Sequence, residues 1–190
     1  SPYFVLLLTG DGGWRAIDQG LAEEINRHGI PVAGFLSDRY FHEARTPDEL
    51  TRDVNAAIDH YAALWKKKKV ILIGFSRGAD ALPVALAKMP PVTRERIALA
   101  ALLGPSRAAE LHIVPFWKSS DVPSIALAPL MRAVKGVPVM CVHGQDEDDS
   151  LCDVLPLGAA IDVKASGGHH FDGRYAEIAR AILAALPRGS

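Results

Sequence analysis

The sequence lacks an excess of charge of one sign. Its 190 residues carry 21 Lys and Arg against 22 Asp and Glu, so the formal net charge is -1. A near-neutral chain does not offer the broad basic surface that binds nucleic-acid phosphates, and we expect no nucleic-acid partner. The single basic run, residues 66–69, is interpreted as a solvated helix end.

Long apolar runs are also missing. A membrane-spanning helix needs about 18 or more consecutive apolar residues, whereas the first apolar segment, residues 4–8, has only the length of a strand. We therefore expect no transmembrane segment, and no signal-peptide pattern precedes this strand. With 49% hydrophobic and 23% charged residues, the composition predicts a folded, soluble protein with one domain over residues 1–190.

Cysteine is scarce, because Cys141 and Cys152 are the only two in the chain. They flank one predicted strand-to-loop connection. Their spacing is compatible with a local disulfide and equally with two reduced thiols, one of them packed as a small core residue. A disulfide would indicate an oxidising compartment.

Apolar segments of strand length alternate with helical patterns along the chain. Strands are predicted at residues 4–9, 32–36, 70–75, 97–103, 137–142 and 159–163, and helices at residues 17–28, 47–66, 79–88 and 175–186. Continuous apolar strands separated by helices indicate a mainly parallel sheet that is covered on both faces. The predicted fold is α/β, a doubly wound sheet, with the proline-interrupted segment 106–135 as a minimal cap.

The first chemical motif is GxSxG at residues 74–78, with Ser76 at its centre. An apolar strand runs directly into the motif and a helix follows it, which is the context of a nucleophile elbow. In such a turn the glycines Gly74 and Gly78 avoid collisions that larger residues would cause. Ser76 is therefore the predicted nucleophile of a serine hydrolase.

A serine hydroxyl needs a base, which in this fold lies late in the chain. His169 and His170 stand between the last predicted strand and the last helix, after Gly167 and Gly168. We favour His169 and keep His170 as the alternative. The five other histidines lie in less suitable places and are interpreted as packed or surface side chains.

The acid that orients the histidine should follow the strand predicted at residues 137–142. Residues 146–149 form an acidic run there, and Asp149 is our first choice because it precedes a small and then an apolar residue. Asp146 and Asp148 remain alternatives. A cation site made from these acids lacks the spacing of a calcium loop, so no metal or cofactor is expected.

A glycine-rich loop, GDGGW at residues 10–14, follows the first strand. Hydrolases turn backbone amides toward the developing oxyanion at this place. We expect the amide of Arg77 and one amide of Asp11 or Gly12 to form the oxyanion hole. A nucleotide-phosphate loop is disfavoured, because the GxGxxG spacing is missing and Asp11 would repel an anion.

Four segments together resemble the bacterial virulence protein family VirJ/AcvB: GDGGW at 10–14, GFSRGAD at 74–80, DSLC at 149–152 and GHHFDG at 168–173. The resemblance spans nearly the whole chain and implies an α/β-hydrolase fold, a periplasmic location and a triad of Ser76, Asp149 and His169. It also implies hydrolysis of lysyl- or alanyl-phosphatidylglycerol at a membrane surface, with a role in virulence and type IV secretion. Gly12, Trp14 and His170 are the candidate substrate contacts.

One residue departs from the family pattern, because Arg77 stands where an aromatic or apolar residue is expected. Its guanidinium could bind a lipid phosphate or point to solvent from the first turn of a helix. The ammonium group of an aminoacyl ester is expected to be attracted by Asp11 and the acids at 146–149. A general carboxylesterase or thioesterase, and a non-catalytic periplasmic module that assists secretion, are the alternative functions.

Overall fold

A parallel sheet of six strands forms the centre of the computed structural model, which describes residues 1–115 and 117–187. The strands along the chain are β1 (Tyr3–Leu8), β2 (Val32–Phe35), β3 (Lys69–Phe75), β4 (Ile97–Leu103), β5 (Ala108–Ala109), β6 (Ile125–Ala126), β7 (Val139–Gly144) and β8 (Ile161–Ala165). The sheet has the order β2-β1-β3-β4-β7-β8, while β5 and β6 form a separate antiparallel pair.

Helices cover both faces of this sheet. They are α1 (Ala16–Arg27), α2 (Ser37–Tyr40), α3 (Pro47–Trp65), α4 (Arg77–Lys88), α5 (Pro91–Arg94), α6 (Leu127–Ala133) and α7 (Tyr175–Ala184). Buried side chains of α1 and α7 belong to the core on one face, and those of α3, α4 and α6 belong to the core on the other. The predicted doubly wound α/β fold is confirmed.

The two cores follow from the pleat of the strands. In β1, Phe4, Leu6 and Leu8 enter one core, whereas Val5 and Leu7 enter the other, and all five are at most 1% exposed. Successive side chains of a strand point to opposite faces, so a strand buried on both sides must be apolar throughout. This is why β1, β3 and β4 show no alternation in the sequence.

Local signals set several of the element boundaries. Thr46 accepts a hydrogen bond from the Glu49 amide at 3.2 Å, and Glu49 accepts one from the Thr46 amide at 2.8 Å, so α3 begins with a capping box. The helix predicted from residue 79 begins earlier, at Arg77, because the Asp80 amide already donates to the Ser76 carbonyl at 2.9 Å. The strand predicted from residue 137 begins at Val139, after Pro138, which has no amide proton to donate.

The sheet order creates a crevice at the carboxyl ends of β1 and β3. The chain leaves β1 toward β2 on one side and leaves β3 toward β4 on the other. Ligands of open α/β sheets bind at such a switch point. Among residues 1–115 and 117–187, no helix combines the length and apolar character that crossing a membrane would require.

Candidate active site

Ser76 occupies a strained turn between β3 and α4. Its φ is 52° and its ψ is -115°, a backbone conformation that L-residues rarely adopt. The flanking glycines are required by space: a Cβ on Gly74 would collide with the Gly78 carbonyl, and a Cβ on Gly78 would collide with the Leu8 carbonyl of β1. The motif at residues 74–78 therefore has the geometry of a nucleophile elbow.

The glycine-rich loop lies beside this turn. A tight turn closes it, because the Gly13 amide donates to the Gly10 carbonyl at 3.1 Å. A Cβ placed on Gly10 would lie 3.5 Å from the Ser76 Cβ and 3.2 Å from the Phe75 ring. The loop after β1 thus passes directly next to the serine.

His169 is held by a carboxylate. Its Nδ1 lies 2.6 Å from Oε1 of Glu147, and the other carboxylate oxygen, Oε2, accepts the Gly144 amide at 2.6 Å. Glu147 is largely buried, with 15% of its side chain exposed. Gly104 leaves room for the pair, since a Cβ there would lie 2.8 Å from the imidazole.

The acid partner of His169 differs from the sequence prediction. Asp149 forms an ion pair with Arg107 at 2.9 Å and has 78% of its side chain exposed, so it does not orient the histidine. Glu147 takes that position because its amide donates to the Gly144 carbonyl at 3.1 Å, a turn that returns the side chain to the end of β7. Asp146 and Asp148, the alternatives considered, are exposed loop residues. The sequence signal that could have pointed to Glu147 is Gly144, the glycine three residues earlier at the end of the strand, where a turn can bring the acid back to the strand end.

The three candidate substrate contacts fall into two groups. Gly12 and the exposed His170 line the same cavity as Ser76 and His169. Trp14 does not belong to that lining: its ring packs on Gly34 of β2, and its indole donates to Gln19 at 3.0 Å. The tryptophan thus packs on a strand beside the crevice, and its role as a substrate contact stays a prediction.

Arg77 does not point to solvent, and protein groups engage all three nitrogens of its guanidinium. Its Nε and Nη2 bind the carboxylate of Asp11 at 2.6 and 3.0 Å, and its Nη1 donates to the Glu110 carbonyl at 2.7 Å. Only 16% of the arginine side chain is exposed. The ion pair ties the glycine-rich loop to the first turn of α4, the two segments expected to carry the oxyanion donors.

Two cavities meet at Ser76. The first, about 520 Å³, is called the histidine cavity and is lined by Gly10, Asp11, Gly12, Gly13, Arg15, Ala16, Ile17, Asp18, Phe75, Ser76, His169, His170 and Tyr175. The second, about 280 Å³, is called the acidic cavity and is lined by Asp11, Ser76, Arg77, Asp80, Ser106, Ala108, Glu110 and Ser124. Segment 106–135, predicted as a cap, therefore supplies one wall of the acidic cavity.

Each cavity contains a buried carboxyl group. Desolvation raises the pKa of Asp80 to about 7, although the Ser106 amide, 2.7 Å from its Oδ1, and the nearby Arg77 favour the charged form. Desolvation also raises the pKa of Asp18, whose Oδ2 accepts the Arg15 amide at 2.8 Å. Carboxyl groups with raised pKa values in a crevice are common at functional sites.

Cys141 and Cys152 are joined by a disulfide, which resolves the two alternatives left by their spacing. Ligand-type atoms of His143, Cys152 and Asp162 lie within 4.8 Å of one another. Because the Cys152 sulfur is bonded to Cys141, it has no thiolate to offer a metal ion.

Comparison with known protein sequences identifies a family. The sequence profile of the family described as bacterial virulence protein (VirJ) matches residues 2–189. Among curated protein sequences no match was found.

Several solved structures are similar in fold at low sequence identity. The esterase Pf2001 from Pyrococcus furiosus has a TM-score of 0.67 and 17% identity, over 98% of this chain and 84% of the esterase. A thioesterase domain from the curacin biosynthetic pathway has a TM-score of 0.63 and 16% identity, over 96% and 92%. A structure from Xanthomonas campestris assigned to the alpha/beta hydrolase superfamily has a TM-score of 0.59 and 18% identity, over 96% of each chain. The likeness places the chain among α/β-hydrolase folds.

Proposed function

The chain belongs to the bacterial virulence protein (VirJ) family, and from this premise we propose that it is a serine hydrolase that cleaves the aminoacyl ester of aminoacyl-phosphatidylglycerol. Ser76 is the nucleophile, His169 the general base and Glu147 the acid that orients the histidine. One observation supports the assignment as a serine hydrolase: the strained Ser76 lines the same cavity as His169, whose imidazole is held by Glu147.

The chemistry proceeds through a covalent aminoacyl-serine. Ser76 Oγ attacks the ester carbonyl carbon while its proton passes to Nε2 of His169. The tetrahedral intermediate collapses, the bond from carbon to the glycerol oxygen breaks, and His169 returns the proton to that oxygen. Water then attacks the acyl-serine with its proton going to His169, which returns it to Ser76 as the free amino acid leaves.

Glu147 keeps the imidazole of His169 in the tautomer that these reaction steps require. With Nδ1–H donated to the carboxylate, Nε2 is free to accept the serine proton, and the imidazolium that forms is stabilised by the negative charge. The Gly144 amide donates to the second carboxylate oxygen, which restrains the orientation of Glu147.

The oxyanion hole is assigned to the amide of Arg77 and an amide of Asp11 or Gly12. The first lies at the N-terminus of α4, and the second lies in the loop that passes Ser76. Each such donor typically contributes a few kcal/mol to transition-state stabilisation. The Arg77–Asp11 ion pair fixes the distance between these two segments.

The lipid substrate and the compartment rest on family membership. A disulfide between Cys141 and Cys152 supports an oxidising compartment, in line with a periplasmic protein that meets its substrate at the membrane surface. A general carboxylesterase or thioesterase is the second candidate, supported by the structural neighbours named as an esterase and a thioesterase domain. Assistance to a secretion system as a non-catalytic module is the third.

We expect purified protein to release alanine from alanyl-phosphatidylglycerol in mixed micelles, and Ser76→Ala to lower this rate at least about 1,000-fold. Ser119→Ala, an exposed serine, is the matched control and should retain the wild-type rate. A fluorophosphonate should label wild type but not Ser76→Ala. Hydrolysis of p-nitrophenyl butyrate without release of alanine would favour the general esterase, and a folded protein without labelling would contradict any serine hydrolase.

A further inference from the structure

The position of His169 distinguishes the two sides of Ser76. His169 must give a proton to the departing alcohol, so the leaving group has to lie on the histidine's side of the serine. His169 lines the histidine cavity and is not among the residues that line the acidic cavity. In the proposed reaction, the phosphatidylglycerol part therefore extends into the histidine cavity, and the acyl part faces the acidic cavity.

The sizes and linings of the cavities agree with this orientation. Phe75, Ile17 and Tyr175 give the larger cavity an apolar wall that suits the glycerolipid. The acidic cavity, at about 280 Å³, is slightly smaller than the roughly 300–1,000 Å³ of typical ligand pockets, and polar side chains line most of it. A short acyl group with a polar end fits it better than a fatty acyl chain.

Most acids near Ser76 already have partners. Asp11 is neutralised by Arg77, Glu147 is engaged by His169, and Asp149 is paired with Arg107. Among the described residues, two other acids of these cavities form no ion pair: Asp18 lies in the histidine cavity, and Glu110 is an exposed residue at the acidic cavity. Asp80 differs from all of these. It lines the acidic cavity, is only 8% exposed, and accepts the Ser106 amide at Oδ1. Since a carboxylate has about four acceptor positions, the donors of one serine leave Asp80 capacity for a further donor.

We propose that the acidic cavity binds the aminoacyl part of the substrate and that Asp80 accepts its ammonium group. This assignment rests on the proposed function and names the residue that distinguishes an aminoacyl ester from a neutral ester. It replaces the expectation that Asp11 and the acids at 146–149 attract the ammonium. Desolvation raises the pKa of Asp80 to about 7, and a bound ammonium group would offset this effect because its charge stabilises the carboxylate.

The test compares alanyl-phosphatidylglycerol with N-acetylalanyl-phosphatidylglycerol, which share the leaving group and differ in the ammonium charge. The measured quantity is the ratio of the two kcat/KM values. We expect Asp80→Asn to lower this ratio at least about tenfold, since a partly buried charged hydrogen bond is lost. Asparagine keeps an acceptor for the Ser106 amide, and any general loss of activity cancels in the ratio.

Two matched variants remove a carboxylate elsewhere. Asp59→Asn acts at the opposite end of the sheet, where Asp59 pairs with Arg96 just before β4, and Asp18→Asn acts in the histidine cavity. Both should keep the wild-type ratio. Ser124→Lys places an ammonium at the exposed rim of the acidic cavity without touching the buried carboxyl, and should lower the ratio even if Asp80→Asn folds poorly.

The outcomes separate the two proposals. A wild-type ratio in both Asp80→Asn and Ser124→Lys, with both esters still cleaved, would overturn the ammonium site and leave the hydrolase intact. If only Asp18→Asn lowers the ratio of the two kcat/KM values, the ammonium group binds in the histidine cavity and the proposed site at Asp80 is wrong. If wild type cleaves neither ester, both proposals fail together.

Discussion

At the scale of single residues, the turn after β7 determines which acid forms the hydrogen bond with His169. Glu147 reaches the imidazole because its amide returns to the Gly144 carbonyl, and its carboxylate is held by two contacts of 2.6 Å. Asp149, two residues later, has φ of 72° and lies against Arg107 at the surface. A difference of two positions in an acidic run thus separates a largely buried carboxylate from an exposed one.

We expect Glu147→Gln to lower kcat for ester hydrolysis by about 100- to 10,000-fold, because a neutral amide neither stabilises the imidazolium nor enforces the tautomer. Asp149→Asn should stay within about twofold of wild type, since it removes only an exposed ion pair. Steady-state kinetics with p-nitrophenyl butyrate measures both. The reverse order of effects would restore Asp149 as the orienting acid.

At the scale of elements, the elbow depends on a close approach between α4 and β1. Gly78 has no side chain where the Leu8 carbonyl passes, so the helix can start directly above the strand. The same contact brings the loop after β1 next to Ser76. Packing between backbone segments therefore positions the serine and the oxyanion loop together.

Gly78→Ala is expected to destabilise the protein by about 3 kcal/mol or more, because the new Cβ meets a backbone atom that cannot move without shifting a central strand. Gly168→Ala is the control: a Cβ there has no neighbour within 4 Å, and stability should change by less than about 0.5 kcal/mol. Urea unfolding followed by circular dichroism measures both. Equal midpoints for the two variants would contradict the close approach.

At the scale of the whole molecule, the buried Asp80 makes folding stability depend on pH. Its pKa is about 7 in the folded protein against 3.8 for the free group, so the folded state binds the proton more tightly. The resulting stabilisation is fully present below pH 3.8 and is lost as the pH rises through about 7, with a slope of at most about 1.4 kcal/mol per pH unit. The raised pKa of Asp18 acts in the same direction.

Asp80→Asn removes this titration. As the pH rises from 5 to 8, we expect the unfolding free energy of the variant to increase by about 2 to 3 kcal/mol relative to that of wild type. Urea unfolding at the two pH values, with the disulfide intact, provides the measurement. Parallel pH profiles for wild type and variant would show that Asp80 is already ionised at pH 5 in the folded protein, as it is in the unfolded chain.

The layered α/β architecture can be predicted from the amino-acid sequence, because strands buried on both faces and capped amphipathic helices leave a local pattern. The sequence also predicts Ser76 as the nucleophile, since the elbow needs two glycines at fixed spacing after an apolar strand, and it favours His169 as the base. The folded structure was needed to find the partner of His169, the ion pair of Arg77 with Asp11, the disulfide and the cavity around Asp80. These contacts join residues that are distant in the chain or that differ only in how a loop turns, so no local periodicity encodes them.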